Sequence, residues 1–169
     1  MSGLLEQEHF ELVEGTLIDR SGRKRPELNA QHSLYLWLQH VFGFRFVLQN
    51  EPIYVAPADN AINEPVPEIV VINREFQTFV SGNPGPADVH LIVEVSRSTF
   101  PFDLTTKAAL YARAGIAEYW VLDVEGVRLI VHRNPNSGKY TTITAYEEHQ
   151  SVAPLVAPEH EFPIRSAFF

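Results

Sequence analysis

The sequence has no cysteine, which excludes disulfides, thiolate metal sites and a cysteine nucleophile. The lack of cysteine suits a reducing compartment, and we expect the protein to be cytoplasmic. No apolar stretch reaches the length needed to cross a bilayer, so we expect no membrane association. The first ten residues, MSGLLEQEHF, include early acidic side chains and lack the basic and apolar regions of a signal peptide.

Positive charge is also scarce. The chain has 13 lysines and arginines against 21 acidic residues, and its formal net charge is −8. Proteins that hold nucleic acid by neutralising phosphates usually carry a basic stripe. Here the basic residues are scattered, with one early cluster at Arg20, Arg23, Lys24 and Arg25. A local patch can coexist with an acidic whole, so the charge weakens the case for a nucleic-acid partner without removing it.

Length and composition predict one domain that covers residues 1–169. Hydrophobic residues make up 45% of the chain and charged residues 20%, which is typical of a globular protein. The sequence has no internal repeat, low-complexity tract or linker. Residues 10–18 predict a hairpin around Glu14 and Gly15, and an apolar stripe predicts a helix over 29–42.

The rest of the chain predicts an α/β fold. A second helix is expected from Asp103, as its N-cap, to Ala114. The strand-like runs are Phe44–Leu48, Ile53–Val55, Ile69–Ile72, Val89–Val95, Tyr119–Leu122, Arg128–His132 and Tyr140–Tyr146. The second helix lies between two of these strands, which should therefore be parallel, with a right-handed crossover. We expect a mixed β-sheet with a helix on each face.

Two charged residues lie where apolar ones are expected. Glu94 sits inside the run VHLIVEVS, and strand alternation places it on the same face as Ile92. Lys107 falls on the apolar face of the second helix, between Leu104 and Tyr111. A crossover helix packs back onto its own sheet, so Lys107 can approach Glu94. A buried salt bridge and a functional site explain this pair equally well.

Glu68 adds a third charged group. It directly follows Pro67 and opens the apolar run IVVI, where a side chain projects from the start of a strand. Alone, such a glutamate is most often a solvated charge. With Glu94 and Lys107 it forms a compact site of hard oxygen ligands, and Mg²⁺ prefers one or two carboxylates, waters and a substrate phosphate. The three residues predict a Mg²⁺ site at which Lys107 orients or deprotonates an attacking water.

The order of these motifs resembles the PD-(D/E)XK nuclease superfamily and, more closely, its Uma-two family of restriction-endonuclease-like proteins. The matching pieces are FELVEG (10–15), His32 in the first helix, PEIVVI (67–72), LIVEVSRST (91–99), KAALYARAGIAEYWVLD (107–123) and EFPIRSAFF (161–169). The resemblance spans nearly the whole chain and is most specific over 91–123. It implies a restriction-endonuclease-like mixed sheet flanked by helices, with extra N-terminal and C-terminal strands.

Carried over residue by residue, the resemblance implies that Glu68 and Glu94 are metal ligands and that Lys107 is the catalytic lysine. In many superfamily members the lysine lies two residues after the second acid, where this chain has Ser96. The family usually has aspartate after the proline, and this chain has Glu68 there. The extra methylene of glutamate must shift the metal or the backbone by about a bond length.

Three further residues are accessory candidates for the site. Ser96 holds the position of the usual lysine. His32 matches a family position, although a helical wheel places it away from the main apolar stripe, as expected of a solvated histidine. Glu14 is a candidate because the nuclease fold often adds an acidic residue from its N-terminal elements, although a turn residue beside Gly15 is the simpler interpretation.

Two functions follow from this reading. The first is a Mg²⁺-dependent or Mn²⁺-dependent DNA endonuclease that hydrolyses phosphodiester bonds with a Mg²⁺-bound or Lys107-oriented water. The second is a nuclease-fold binding or assembly module that no longer cuts and keeps Glu94 and Lys107 as a structural pair. The acidic net charge and Glu68 in place of aspartate favour the module. By analogy with restriction-type nucleases, we expect DNA as the partner and a homodimer.

Overall fold

A six-stranded sheet organises the computed structural model, which describes residues 9–169. In chain order the elements are β1 (Phe10–Val13), β2 (Thr16–Asp19), α1 (Arg25–Phe42), β3 (Val47–Gln49), β4 (Ile69–Ile72), β5 (Val89–Ser96), α2 (Phe100–Phe102), a π-helical turn (Asp103–Lys107), α3 (Ala108–Arg113), β6 (Glu118–Asp123), β7 (Arg128–Asn136), β8 (Lys139–Glu147), β9 (Ser151–Val152) and β10 (Phe162–Pro163). Single-turn 3-10 helices occupy Phe44–Phe46, Asn60–Ile62, Phe76–Thr78, Pro86–Asp88 and Ile164–Ala167.

The sheet has the order β3-β4-β5-β6-β7-β8. The β5–β6 pair is parallel and every other neighbouring pair is antiparallel. The parallel pair arises because the chain from α2 to α3 crosses over the sheet before it returns as β6. The β1–β2 hairpin and the β9–β10 pair form two small additional sheets. The predicted α/β fold, a mixed sheet flanked by helices, is confirmed.

Helices cover opposite faces of the sheet. The α1 face is formed by Leu34, Leu38, Ile69, Val71, Leu91, Val93, Val95, Trp120 and Leu122, together with further apolar residues. The α3 face is formed by Val70, Ile72, Ile92, Leu110, Tyr111, Tyr119 and Val121, together with others. Strand alternation explains the division, because neighbouring residues of one strand point to opposite faces. Each face therefore has its own core, and the α3 face also contains the charged residues described below.

Helix α1 begins earlier than its apolar stripe predicts, at Arg25 instead of residue 29. Pro26 lies in the first turn, where a missing N–H has no intrahelical acceptor to lose. The carboxylate of Glu27 accepts a hydrogen bond from the backbone N–H of Lys24 at 2.9 Å, which caps the new start. The helix ends at Phe42, before Gly43 with φ of 90°.

Two strand predictions were wrong. Residues 53–55 are not a strand, although Ile53 and Val55 are buried and Tyr54 between them is exposed. Their backbone N–H groups bond to three separate acceptors, which are Pro65 O, Pro84 O and Asn60 Oδ1. The alternating burial is present, but the segment pairs with no strand among residues 9–169. The run 44–48 is also shorter than predicted, because its first three residues form a 3-10 helix.

The structure bears on one further expectation. None of the helices between residues 9 and 169 is both long enough and apolar enough to pass through a bilayer. The prediction that the N-terminus lacks a signal peptide falls largely on residues 1–8, which lie outside the described residues.

Candidate active site

Glu68 and Glu94 are neighbours because of the register between β4 and β5. This antiparallel register pairs Ile69 with Val93, so the next position outward places Glu68 beside Glu94. Ile69 and Val93 belong to the α1 face, and alternation turns both glutamates to the α3 face. Both are buried, with 3% and 1% of their surface exposed.

Lys107, at the end of the π-helical turn, extends its side chain to Glu94. Its Nζ lies 2.7 Å from Glu94 Oε1 and 2.9 Å from Glu11 Oε2. The hydroxyl of Tyr111 donates to the same Glu94 oxygen at 2.9 Å. The crossover therefore brings Lys107 onto Glu94 as the sequence predicts, although the turn that carries it is π-helical and not regular α-helix. Such turns occur frequently at functional sites.

Glu11 is a site residue that the sequence analysis missed. It lies in β1, is buried, and accepts a hydrogen bond from the backbone N–H of Val66 at 3.0 Å while it pairs with Lys107. Strand alternation could have found it, because Glu11 shares a face with the buried Val13. Of the two glutamates in the N-terminal hairpin, Glu11 lies in the pocket and the candidate Glu14 lies outside it.

Asp103 also faces the pocket, which corrects its assignment as an N-cap. The helical segment starts three residues earlier, at Phe100, and Asp103 is 4% exposed. Its Oδ2 accepts hydrogen bonds from the Ser96 hydroxyl and, at 2.8 Å, from the Thr99 hydroxyl. Ser96, an accessory candidate, thus contacts a residue of the pocket, Asp103, and does not line the pocket itself. Its position at the end of β5 is fully buried.

Glu68 is held by groups from two directions. Its Oε2 accepts the backbone N–H of Val95 at 2.8 Å, and its Oε1 pairs with the guanidinium of Arg23. Arg20 Nη2 lies 3.7 Å from the same Oε1. These arginines follow the β1–β2 hairpin and belong to the early basic cluster seen in the sequence, which gave no sign of this contact.

The pocket contains more acidic side chains than cations, and this excess shifts the pKa values of Glu94, Asp103 and Lys107. Burial and the nearby Glu68 carboxylate raise the pKa of Glu94 to about 8, against the opposing effect of Lys107. Burial and the charge of Glu94 raise the pKa of Asp103 to about 6. Burial by itself would lower the pKa of Lys107, but the surrounding carboxylates, Glu94 and Glu11 foremost, outweigh it and raise that pKa. Lys107 is therefore an ammonium group at neutral pH.

Two accessory candidates lie away from the cluster. Glu14 occupies the hairpin turn with φ of 49°, and its half-exposed carboxylate pairs with Arg113 on the surface. His32 is exposed on α1. Neither lines the pocket of about 110 Å³ that Glu11, Glu68, Glu94, Asp103 and Lys107 share. The structure agrees with the interpretation of Glu14 as a turn residue and of His32 as a solvated histidine.

The donor set suits a hard divalent cation, since carboxylate oxygens are the ligands that Mg²⁺ and Mn²⁺ prefer. The hydrogen bonds from Lys107 and Tyr111 to Glu94 both fall on Oε1, and Glu68 offers its own Oε1 once Arg23 leaves it. As the side chains stand, no three His, Cys, Asp or Glu residues of the described chain are grouped so that they could hold a metal ion. A divalent ion bound by two carboxylates, water and a substrate phosphate therefore fits this pocket better than an ion bound by protein ligands alone.

This arrangement, a mixed sheet with acidic residues on two adjacent strands and a lysine on the crossover, defines the class of restriction-endonuclease-like proteins. The family Uma2, described as "Putative restriction endonuclease", matches residues 4–165, and the chain belongs to this family. The resemblance found in the motifs is thereby confirmed, and the family supports a nuclease function.

Comparison with solved structures gives the same fold. The chain is similar to a crystal structure from Anabaena variabilis described as "a putative nuclease belonging to DUF820". The TM-score is 0.70 with 18% sequence identity, over 94% of this chain and 89% of the other. No curated protein matches the sequence.

Proposed function

We propose that the protein is an endodeoxyribonuclease that uses Mg²⁺ or Mn²⁺, with Glu68 and Glu94 as the metal ligands and Lys107 as the catalytic lysine. The convergence of these three side chains in one buried pocket is the observation that supports this proposal. A salt bridge alone would explain Lys107 and Glu94, but it would not require Glu68 to face the same pocket.

Hydrolysis forms a bond from a water oxygen to phosphorus and breaks one P–O bond of the DNA backbone, whose leaving oxygen gains a proton. A bound divalent ion would supply Lewis acidity to the phosphate. In its ion pairs with Glu94 and Glu11, Lys107 is an ammonium group whose Nζ can donate hydrogen bonds to the water or the phosphate. This protonated form suits the role of orienting the attacking water. Glu11 and Tyr111 hold Lys107 and Glu94 in place.

The non-cutting module is the second candidate, and one observation favours it. Both oxygens of Glu68 have protein partners, Arg23 and the Val95 N–H. A glutamate satisfied in this way could serve as a structural ion pair at the position of the family's metal-binding aspartate. On this alternative, divalent ions neither bind to the pocket nor change the stability of the protein.

Nicking of supercoiled plasmid with Mg²⁺ or Mn²⁺ separates the two candidates. Glu68→Gln should lower the nicking rate by about 10²-fold or more, because the amide loses the negative charge that attracts the ion. Glu159→Gln, on an exposed glutamate, is the matched control and should keep the wild-type rate. Equal rates for wild type and Glu68→Gln would remove Glu68 from the mechanism.

Thermal unfolding gives a readout that does not depend on cleavage. A ligand that binds only the native state raises the melting temperature by mass action. We expect millimolar Mg²⁺ or Mn²⁺ to raise the melting temperature of the wild type and to leave that of Glu68→Gln nearly unchanged. A wild type that neither nicks plasmid nor responds to either ion would favour the module.

We also propose that the protein acts as a homodimer, because two sites related by symmetry can address both strands of a duplex. Exposed apolar side chains near the C-terminus, namely Leu155, Val156 and Phe169, offer candidate contact surface. Light scattering at micromolar concentration should give about twice the mass of the chain. A strict monomer would contradict this proposal.

A further inference from the structure

Arg23 occupies the position in the pocket where a cation is expected. Its guanidinium pairs with Glu68 Oε1, donates to Gln31 Oε1 at 3.0 Å and lies 3.3 Å from the carbonyl oxygen of Val95. The side chain is 21% exposed, so it reaches the buried carboxylate from the mouth of the pocket. Nothing in the mechanism described above uses this contact.

A guanidinium and a divalent ion compete for the same oxygen. The Oε2 of Glu68 accepts the Val95 N–H at 2.8 Å, which fixes the carboxylate on the sheet and leaves Oε1 turned towards Arg23. Two positive charges on one oxygen repel each other at contact distance. An ion that binds Glu68 through Oε1 must therefore displace the guanidinium of Arg23.

Arg23 has a place to move to. It lies on the connection between β2 and α1, which has no regular structure and contains Gly22 in the left-handed region at φ of 79°. Arg20 and Arg23 line both the acidic pocket and a neighbouring groove of about 830 Å³. A guanidinium released from Glu68 can thus turn to the groove without leaving the site.

The charge of the pocket indicates what the released guanidinium binds. Six carboxylate side chains line the pocket, against three cations, which are Arg20, Arg23 and Lys107. Such a surface repels a phosphate until further positive charge arrives. A divalent ion supplies that charge and, by freeing Arg23, adds a planar donor suited to phosphate oxygens.

We infer that Arg23 is a positioning residue that exchanges partners: it holds Glu68 in the metal-free protein and binds a substrate phosphate once a divalent ion has replaced it. This inference rests on the proposed function. Arg23 then opposes metal binding by itself and favours DNA binding afterwards, so the metal and the DNA bind in that order. Arg20 lies farther from Glu68 Oε1, at 3.7 Å, and donates to Asn50 Oδ1 at 3.0 Å, so it can stay in place.

Calorimetric titration with Mn²⁺ in the absence of DNA tests the first half. Arg23→Met keeps the aliphatic stem and removes the charge, and it should bind Mn²⁺ about tenfold more tightly than the wild type, a typical size for such coupling. Arg23→Lys should fall between the two, because an ammonium cannot bridge Glu68, Gln31 and Val95 at once. Arg45→Met, which removes an exposed arginine paired with Glu75, is the control and should match the wild type.

Duplex binding in Ca²⁺, measured by fluorescence anisotropy over a range of salt concentrations, tests the second half. Arg23→Met should bind about tenfold more weakly, and the slope of log K against log salt should fall by about one. A purely structural arginine would leave both the Mn²⁺ affinity and this slope unchanged after correction for unfolded protein.

The outcomes separate this inference from the proposed function. If Arg23→Met gains no Mn²⁺ affinity, or keeps full DNA affinity and the full salt slope, the partner exchange is wrong, while metal-dependent nicking by the wild type still supports the nuclease. If the wild type neither binds Mn²⁺ nor nicks plasmid, the proposed function and this inference fail together.

Discussion

Glu118 in β6 and Glu94 in β5 are buried on opposite faces of the central sheet, and the surroundings of the two differ. On the α1 face, Glu118 accepts hydrogen bonds from Trp120 Nε1 at 3.0 Å, Arg133 Nε at 2.8 Å and the Leu155 N–H at 2.9 Å, so both its oxygens are bonded. On the α3 face, Glu94 accepts hydrogen bonds from Lys107 Nζ and the Tyr111 hydroxyl, and both fall on Oε1.

The charges around the two glutamates differ in the same way. Glu118 has the cation of Arg133 to itself, whereas Glu94 shares Lys107 with Glu11 and lies beside Glu68. A carboxylate that serves only stability should have both its oxygens hydrogen-bonded. A buried carboxylate that lies among other acidic groups costs stability, and a bound cation recovers that cost. We therefore expect Glu118 to serve stability and Glu94 to serve the proposed chemistry.

The largest expected effect concerns activity. Glu94→Gln should lower the metal-dependent nicking rate by about 10³-fold, or about 4 kcal/mol of transition-state stabilisation. Glu118→Gln should leave the rate per folded molecule unchanged, although it lowers stability. Plasmid nicking normalised by the native fraction from circular dichroism compares the two. Similar losses of rate for both variants would end the distinction between the faces.

The second effect concerns stability. Arg133→Met leaves Glu118 buried without its cation, and the free energy of unfolding should fall by about 3 kcal/mol. Arg45→Met, which breaks an exposed pair with Glu75, should cost no more than about 1 kcal/mol. Urea denaturation measures both differences. A cost for Arg133→Met as small as that of the control would show that Glu118 does not depend on its partner.

The sequence predicted the centre of this arrangement better than its edges. Glu94 and Lys107 were found because a charge inside an apolar strand or on an apolar helix face contradicts the local pattern, and burial gives that contradiction a cause. Glu68 was also named from the sequence, by its place after Pro67 and by the family resemblance, but its position beside Glu94 depends on the β4–β5 register, which the sequence does not state. Arg23 lies in an irregular connection, and no periodicity places a loop side chain.

Asp103 shows a different limit of sequence analysis. Aspartate at the apparent start of a helix is a usual capping residue, and its inward position depends on a π-helical turn that the pattern of apolar residues does not reveal. The position of Glu11, by contrast, could have been read from the alternation in β1 with Val13, so that omission was avoidable.

The third effect tests the hydrogen bonds around the two glutamates. Tyr111→Phe removes the hydroxyl that donates to Glu94 Oε1 at 2.9 Å, and it should lower the nicking rate about tenfold because a hydrogen bond to a charged group is lost. Trp120→Phe removes the equivalent donor of Glu118 and should leave the rate per folded molecule at the wild-type value. A drop in rate for Trp120→Phe alone would reverse the assignment.

The smallest effect concerns pH and His132, which lies on the α3 face against Tyr119 and Tyr140 and lines a surface pocket with Lys139. Burial lowers the pKa of His132 below its usual value. Its contribution to stability is therefore complete above about pH 6.5 and is lost as the pH falls through the folded-state pKa, with a slope of at most about 1.4 kcal/mol per pH unit.

A variant tests the origin of this slope. The free energy of unfolding of His132→Phe should change less between pH 7 and pH 5.5 than that of the wild type, when both are measured by urea denaturation. Identical pH profiles would assign the acid sensitivity to other groups. His9→Phe, on an exposed histidine, is the matched control and should keep the wild-type profile.

The π-helical turn between α2 and α3 has a consequence for protein engineering. It amounts to one residue more than a regular helix would need, and removing that residue would rotate everything before the turn by about 100° relative to everything after it. Asp103 and Lys107 lie at its two ends. A designer who replaced this turn with regular α-helix would follow sound practice for stability. The same change would separate Asp103 from Lys107, which now line one pocket.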